Sequence, residues 1–531
     1  MSRSSFLADA EAQGAGAPSP RVADPGRGRP CSLGCLLALA VAIAAAPAWS
    51  APAYTVETIP LPVGLSAEVG GVAFLPDGRL AACFHRGEIY LYEATTKTWS
   101  LFAEGLHDPL GLVAVSNTEL VVMQRPELTR LRDTNGDGVA DDYQTITDDF
   151  GLTGNYHEFA FGPLLDRDGN FLIALNTASN GAGLRSELRG PFNPRSSYSP
   201  EDRMYSSVPW RGWVLKVTPA GQVTPFASGF RSPNGLGFDA EGNLFVPDNQ
   251  GDWVGTSPLY HVQPGKFHGH PASLAWKPGE SRPPLAIPLE ELDAQRTRPA
   301  ILFPHNILAN SPTQPLLDAT GGKFGPFAGQ MFIGEMNRPR IIRLIFDKVD
   351  GQIQGAAIPF LDDHGLRAGN NRLAFAPDGS LWVGQNDHGW AGDKGIQRIA
   401  WTGEVPMDVL GMKLTRNGFE LTFTRPLDAA IASQPSSWPV QRYDYDYHAA
   451  YGSRQHDLEE AEVITVHLSP DRTRVSLGFA DLIAWRIYEL RLDKLKAEDG
   501  TPLANPLVCY TLNHLTRNTP PPPPAGRERK E

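Results

Sequence analysis

Short apolar runs recur along the chain, each broken by a tight polar turn that usually carries Asp-Gly or a related pair. Residues 73–84 read AFLPDGRLAACF, residues 160–176 AFGPLLDRDGNFLIALN, residues 237–249 GFDAEGNLFVPDN and residues 374–386 AFAPDGSLWVGQN. Two looser copies are VAVSNTELVVMQR from Val113 and GPFAGQMFIGEM from Gly325. The residue that opens the second run is Leu80, Leu120, Phe171, Leu244, Met331 and Leu381 in turn. A third run follows in each copy, as in EIYLYEA, WVLKVTP and RIIRLIFD, and several add a fourth. Runs this short, with apolar and polar positions alternating, predict half-buried antiparallel strands. Glycine and proline interrupt them too often for helices. A unit of about 40 residues with four strands is a propeller blade.

The pattern changes after residue 404. MKLTRNGFELTFTRPLD, EAEVITVHLSPDRTRVSLGF and RIYELRLDKLKAEDGTPLANPLVCYTLN read as longer strands with Asp-Gly and Asn-Gly turns. The expected fold is therefore all-β: a six-bladed β-propeller over residues 54–404, then a small β-sandwich of immunoglobulin or fibronectin type over 405–515. Residues 516–531 form a proline-rich tail expected to be disordered. At the other end, Arg27 and Arg29 precede CSLGCLLALAVAIAAAPA, an apolar stretch closing on small residues. This pattern predicts a signal peptide and N-terminal extension over residues 1–53, with a membrane anchor as the alternative. Export to the periplasm or the exterior follows, with no stable membrane span after cleavage.

Composition narrows the function. A net charge of −12 lacks the basic face that nucleic-acid binding needs. Of four cysteines only Cys83 and Cys509 lie beyond the signal segment, and no C-x-x-C motif occurs. A Cys83–Cys509 bridge and two buried free thiols both remain open. No G-x-S-x-G elbow, P-loop or dinucleotide fingerprint appears.

Blade geometry concentrates the unusual side chains on one face. The short Asp-Gly turns belong to one end. The loops before each first strand and after each second strand belong to the other. That second face collects His85, Arg86, His107, Asp108, Gln124, Arg125, His157, Glu158, Asn176, Arg231, Asn234, Asp248, Gln250 and Asp252. Glu335, Asn337, Arg338, Asn370, Asn371, Arg372, Gln385, Asp387 and His388 join them from the last two repeats. A polar, concave mouth on the propeller axis is the expected site. His157, directly before an innermost strand, is a candidate general base, against the simpler reading of a hydrogen-bonded loop histidine. DTNGDGVADD places Asp133, Asn135 and Asp137 at calcium-ligand spacing, with Asp141 or Asp142 to complete the shell. Gln144 holds the twelfth position, so the loop is an incomplete EF-hand, expected to hold structural calcium. The run Tyr443-Asp444-Tyr445-Asp446-Tyr447 reads either as packed strand aromatics or as a sugar-stacking surface.

Three stretches, YHEFAFGPLLDRDGNFLIALN, GFRSPNGLGFDAEGNLFVPDNQGDW and GQMFIGEMNRPRIIRL, with GKFHGHP at Gly265, resemble the soluble quinoprotein glucose/sorbosone dehydrogenases. The likeness covers residues 55–402 and looks closest to a secreted, membrane-bound-dehydrogenase-like branch. It implies oxidation of a sugar by calcium-held pyrroloquinoline quinone (PQQ), with an electron-acceptor protein as partner. His157 matches the proton-accepting histidine. Arg231 matches an arginine beside the quinone, and Asn234 a cofactor- or substrate-facing amide. Gln250 and Gly251 match the residues that hold the cofactor calcium, with Asp252 next to them. Asn337 stands where the family has a lysine, with Arg338 beside it, and AGNNRL replaces an arginine pair. Two readings stand beside the dehydrogenase: a non-catalytic carbohydrate-binding or scaffold propeller, and a lactonase-like hydrolase with a metal on Glu335, Asn337 and Asp387.

Overall fold

The middle strand of each repeat reads as almost continuously apolar because it is buried on both faces. Leu80–Phe84, Phe171–Leu175 and Leu381–Gln385 have every residue buried. Successive residues then serve two different cores: Leu120 and Val122 pack toward one neighbouring sheet, Val121 and Met123 toward the other. The structure, a computed structural model, describes residues 52–180, 189–193, 204–362, 364–387 and 392–517. The expected signal peptide and nearly all of the proline-rich tail lie outside the described residues.

The chain is nearly all β, a β-propeller with few helices, the longest among the described residues being Leu289–Gln295. No helix among the described residues is long and apolar enough to cross a membrane. Each antiparallel sheet meanders from an inner strand outward. The first runs Val69–Phe74, Leu80–Phe84, Ile89–Glu93, Thr98–Ala103, and the second Leu112–Ala114, Glu119–Met123, Leu128–Arg132, Asp142–Thr147. The third takes Ala160–Leu165, Phe171–Leu175, Trp213–Val217 and Val223–Ser228; the fourth Gly237–Phe238, Leu244–Pro247, Ser257–Val262 and Ile301–Phe303. The fifth is Pro312–Leu317, Met331–Glu335, Ile341–Val349 and Gln352–Phe360. The last has Asn370–Phe375, Leu381–Gln385 and Gly395–Trp401, and its outer strand is N-terminal: Tyr54–Ile59 pairs with Gly395–Trp401. Apolar clusters fill the space between successive sheets. One of them joins Trp382 and Ile396 of the last to Val69 and Leu80 of the first, which closes the ring.

Inner strands approach so closely that side chains are excluded between them. A Cβ on Gly111 would lie 2.1 Å from the Gly162 carbonyl oxygen. Gly111→Val is therefore expected to lower stability by about 1–3 kcal/mol through overpacking. Thermal unfolding measures this, and a wild-type melting temperature would show that the strands move apart freely.

From Ala51 onward the chain is one compact unit. In the C-terminal segment one sheet holds Val409–Leu414, Gly418–Phe423, Arg474–Phe479 and Val463–Leu468. The other, Leu507–Leu512, Arg486–Arg491, Val440–Tyr445 and Gln455–Glu460, does not stand alone. Its first strand pairs with Gln352–Phe360, so the fifth sheet continues into it as eight strands. The long outer strand of the fifth sheet would otherwise present an open edge. Phe419, Tyr488 and Tyr510 share their core with Ile345 and Ile358 of that sheet. Cys83 and Cys509 are both buried free thiols.

Candidate functional site

The loops that precede inner strands and follow second strands meet at one end of the ring around a pocket of about 540 Å3. His157, Ser232 and Asn234 come from the first kind of loop, His85, Asn176, Asn249 and Asn386 from the second, and Asn371 from the start of the inner strand Asn370–Phe375. Phe159 and Phe161 supply aromatic walls.

His157 is buried, and its Nδ1 lies 3.0 Å from the Thr177 carbonyl oxygen. A carbonyl only accepts, so Nδ1 carries the proton and Nε2 keeps its lone pair on the pocket side, 3.4 Å from Ser232 Oγ. Burial, reinforced by the charge of Arg231, pushes its pKa down to about 4. At neutral pH the ring is therefore an uncharged proton acceptor. Asn176 donates to Ser232 Oγ at 3.2 Å, while its buried Oδ1 has no hydrogen-bond partner among the described residues. An orphaned acceptor costs free energy until a donor arrives. The supporting frame is Asp248, wholly buried, which accepts from the backbone N–H of Arg231, Ser232 and Asn249. This carboxylate ties both ends of the Gly237–Pro247 hairpin together. Burial raises its pKa against those donors.

Two groups gain a place that sequence reading left without a role. His85 Nδ1 contacts the Asp108 carboxylate, which also pairs with Arg125 at 2.7 Å. Burial opposes the charge of Asp108, but His85 and Arg125 outweigh it and hold the carboxyl well below the usual range. Arg372 lies beneath the mouth and donates to Asn234 Oδ1 at 3.0 Å, to Asn371 and to the Leu110 carbonyl. Their signal in the sequence was position on the mouth face alone.

Several expected site residues are turned elsewhere. Arg231 pairs with Asp252 at 2.8 Å and lies 5.3 Å from the Tyr451 ring centroid. Asp252 also accepts from His270 at 3.2 Å and from the Met204 N–H. Gln250 donates to the Gly255 carbonyl, and Gly251 is packed so tightly that a Cβ would lie 2.0 Å from Arg231 Nε. The Asn337 N–H donates to Glu335, and Arg338 donates to the Asn306 carbonyl. Glu335 accepts from the N–H groups of Asn310, Ser311 and Asn337, and Asp387 pairs with Lys394, so both carboxylates of the hydrolase alternative already have protein partners.

The seat for calcium and the quinone does not fit these residues. The Gly251 carbonyl already accepts from Val254 at 3.1 Å and from Gly452 at 2.9 Å. Gly452 belongs to a C-terminal strap that also bridges Asp252 through Tyr451 and takes the Trp253 N–H on His448. The described lining of the mouth contains no Lys, Arg, Asp or Glu to meet a tricarboxylate. In the loop 133–142, Asp133 accepts from the N–H of Gly136 and Gly138, Asn135 from Asp137, Asp137 from Val139, and Asp141 from Thr134.

Residues 93–272 match a family described as a domain of unknown function (DUF7133). No curated protein matches the chain. Among solved structures it is similar to the PQQ-bound aldose sugar dehydrogenase of Streptomyces coelicolor, at 16% identity and a TM-score of 0.45 over 66% of this chain and 99% of that one. It is also similar to the apo form of the soluble aldose sugar dehydrogenase of Escherichia coli, at 15% identity and 0.43 over 65% and 99%. The holo PQQ domain of pyranose dehydrogenase from Coprinopsis cinerea matches at 13% identity and 0.44 over 66% and 96%.

Proposed function

We propose that the mouth binds a small polyhydroxylated ligand of the sugar class and that His157 accepts the proton of one of its hydroxyls. The observation that carries this reading is the pairing of a buried, neutral imidazole with the partnerless Oδ1 of Asn176 in one pocket. A sugar supplies hydroxyl donors for both, and faces of C–H bonds for Phe159 and Phe161. In this reading the four-stranded sheets are six blades over residues 54–404, the sandwich spans 405–515, and the protein is exported by its N-terminal apolar segment. Oxidation of the sugar would need a hydride acceptor, and calcium with PQQ does not fit the mouth as built. A carbohydrate-binding propeller that keeps the proton acceptor is thus the reading the geometry favours over a calcium- and quinone-dependent dehydrogenase.

Calorimetric titration with glucose and other aldoses tests it. His157→Gln is expected to weaken binding about tenfold, the size of one or two hydrogen bonds. Failure of the wild type to bind any aldose would overturn the reading. Protonated His157 has no lone pair to offer, so affinity should stay level from pH 7 to 5 and fall as pH drops through about 4. An affinity that instead tracked an ordinary histidine near pH 6.5 would contradict the assigned burial of the ring. Adding PQQ with calcium should leave the absorption of the quinone unshifted; stoichiometric uptake would restore the dehydrogenase.

The spacing of Asp133, Asn135, Asp137 and Asp141 supports calcium at the outer loop, and the bond from the Gly138 N–H to Asp133 preshapes its turn. Calcium is then expected to raise the melting temperature, and Asp137→Ala to remove most of the gain. An equal gain in the variant would place the ion elsewhere.

A further inference from the structure

We propose that a second cleft, between the loops of the fourth sheet and the C-terminal segment, is a saccharide site selective for a sugar that carries a carboxylate. The proposal is independent of the mouth, with which the cleft shares no lining residue. The cleft spans about 580 Å3 open to solvent, and both aromatic and charged side chains line it. This is where the Tyr443–Tyr447 run divides. Tyr443 is wholly buried and donates to Glu489, whereas Tyr445 and Tyr447 face the cleft.

Two tryptophans complete the walls, and both are held in left-handed backbone. Trp253 has φ 62° and Trp485 φ 63°. A bulky residue in that region costs of order 1–3 kcal/mol, and such strain clusters at ligand clamps. Trp253 packs 5.4 Å from Tyr447, and Trp485 is more than one-third exposed.

The charged side chains set the ligand class. The Arg298 guanidinium carbon lies 4.2 Å from the Trp485 ring centroid; the group makes no hydrogen bond to the described residues and has a long 3.8 Å ion pair with Asp293. Stacking leaves the in-plane N–H groups of an arginine open, in the geometry that grips a carboxylate at two points. Arg296 lies beside it, 4.2 Å from the Tyr447 ring centroid and bonded to Asp293 at 2.5 Å, so two guanidiniums share one carboxylate on this wall. In the same lining, Asp444 offers acceptors for hydroxyls and is steadied by Arg486 at 3.5 Å, whose buried Nε has no partner among the described residues. Aromatic faces for C–H bonds, an acceptor for hydroxyls and a guanidinium that makes no hydrogen bond to the described residues together describe a uronic-acid residue. A neutral sugar would leave Arg298 with only its long, shared pair to Asp293, and an aromatic acid would bring Asp444 no hydroxyl.

The test titrates the full chain with digalacturonate and, as the neutral counterpart, galactobiose. Digalacturonate is expected to bind about tenfold or more tightly than galactobiose at low salt, a charge-assisted hydrogen-bond pair being worth that much. Arg298→Leu should abolish the preference while leaving galactobiose within twofold, and Trp485→Ala should weaken both probes. His157→Gln, whatever it does to sugar binding at the mouth, should leave the preference for digalacturonate over galactobiose as in the wild type, which separates this site from the mouth. Equal affinity for the two probes, no binding of digalacturonate, or a preference that survives Arg298→Leu would each overturn the proposal. Loss of the preference in His157→Gln would overturn it too, by moving the acidic sugar to the mouth.

Discussion

Asp252→Ala is expected to destabilise the protein by about 3–5 kcal/mol, the usual cost of leaving a buried charge without its partner. Asp252 is 2% exposed and joins three groups: Arg231 at 2.8 Å, His270 at 3.2 Å and the backbone N–H of Met204 at 3.1 Å. Truncation strands a buried guanidinium over the Tyr451 ring and loosens the strap that covers Gly251. Burial opposes the charge of Asp252, but His270 and Arg231 outweigh it and hold the carboxyl well below the usual range. A depressed carboxyl stabilises the fold above the unfolded-state pKa of about 4, and that contribution fades as pH falls below it. Acid unfolding should therefore be less steep below pH 4 in Asp252→Ala than in the wild type. Denaturant unfolding at pH 7 measures the main effect. A variant as stable as the wild type would mean that Arg231 finds another partner.

Arg343→Ala should cost a similar amount, at the seam between the fifth sheet and the C-terminal segment. Arg343 is wholly buried and donates to Gln330 at 2.8 Å and to the Val409 carbonyl at 2.9 Å. It lies 3.8 Å over the Phe327 ring and 3.2 Å from Asp408, itself held by Asn505 at 2.7 Å. Removing the arginine leaves Asp408 charged and dry, a loss of about 3–5 kcal/mol. The double variant Arg343→Met with Asp408→Leu should recover much of it, because an apolar pair avoids the desolvation that the ion pair suffers. If Arg343→Ala alone melted like the wild type, the two parts of the chain would not depend on this contact.

The sequence reading reached His157 and Asn176 because their places follow from local rules. His157 precedes an inner strand and Asn176 follows a second strand, so any meander of that repeat brings both to the mouth. Arg231 and Gln250 obeyed the same rule and still missed the pocket. Arg231 had a nearer buried carboxylate in Asp252, and a charge that leaves water goes to its counter-ion first. Asp248 was legible as a mouth residue but not as the anchor of three backbone N–H groups, since that depends on the depth of its burial.

What the sequence determined by itself is the repeating strand, its turn and the face each loop occupies. Those are matters of period and turn chemistry within about forty residues. What the tertiary structure decided is which groups remain free once distant segments have paired. The N-terminal strand closes the last sheet through Tyr54↔Trp401, and Leu507–Leu512 continues the fifth through Ala357↔Cys509. The strap at Tyr451 and Gly452 consumes the carbonyl of Gly251, a residue that in sequence looked ready for a cation. Strand edges and backbone carbonyls carry no trace of their partners in the local pattern, because every residue offers the same N–H and C=O. Only the folded chain says which of them are already taken.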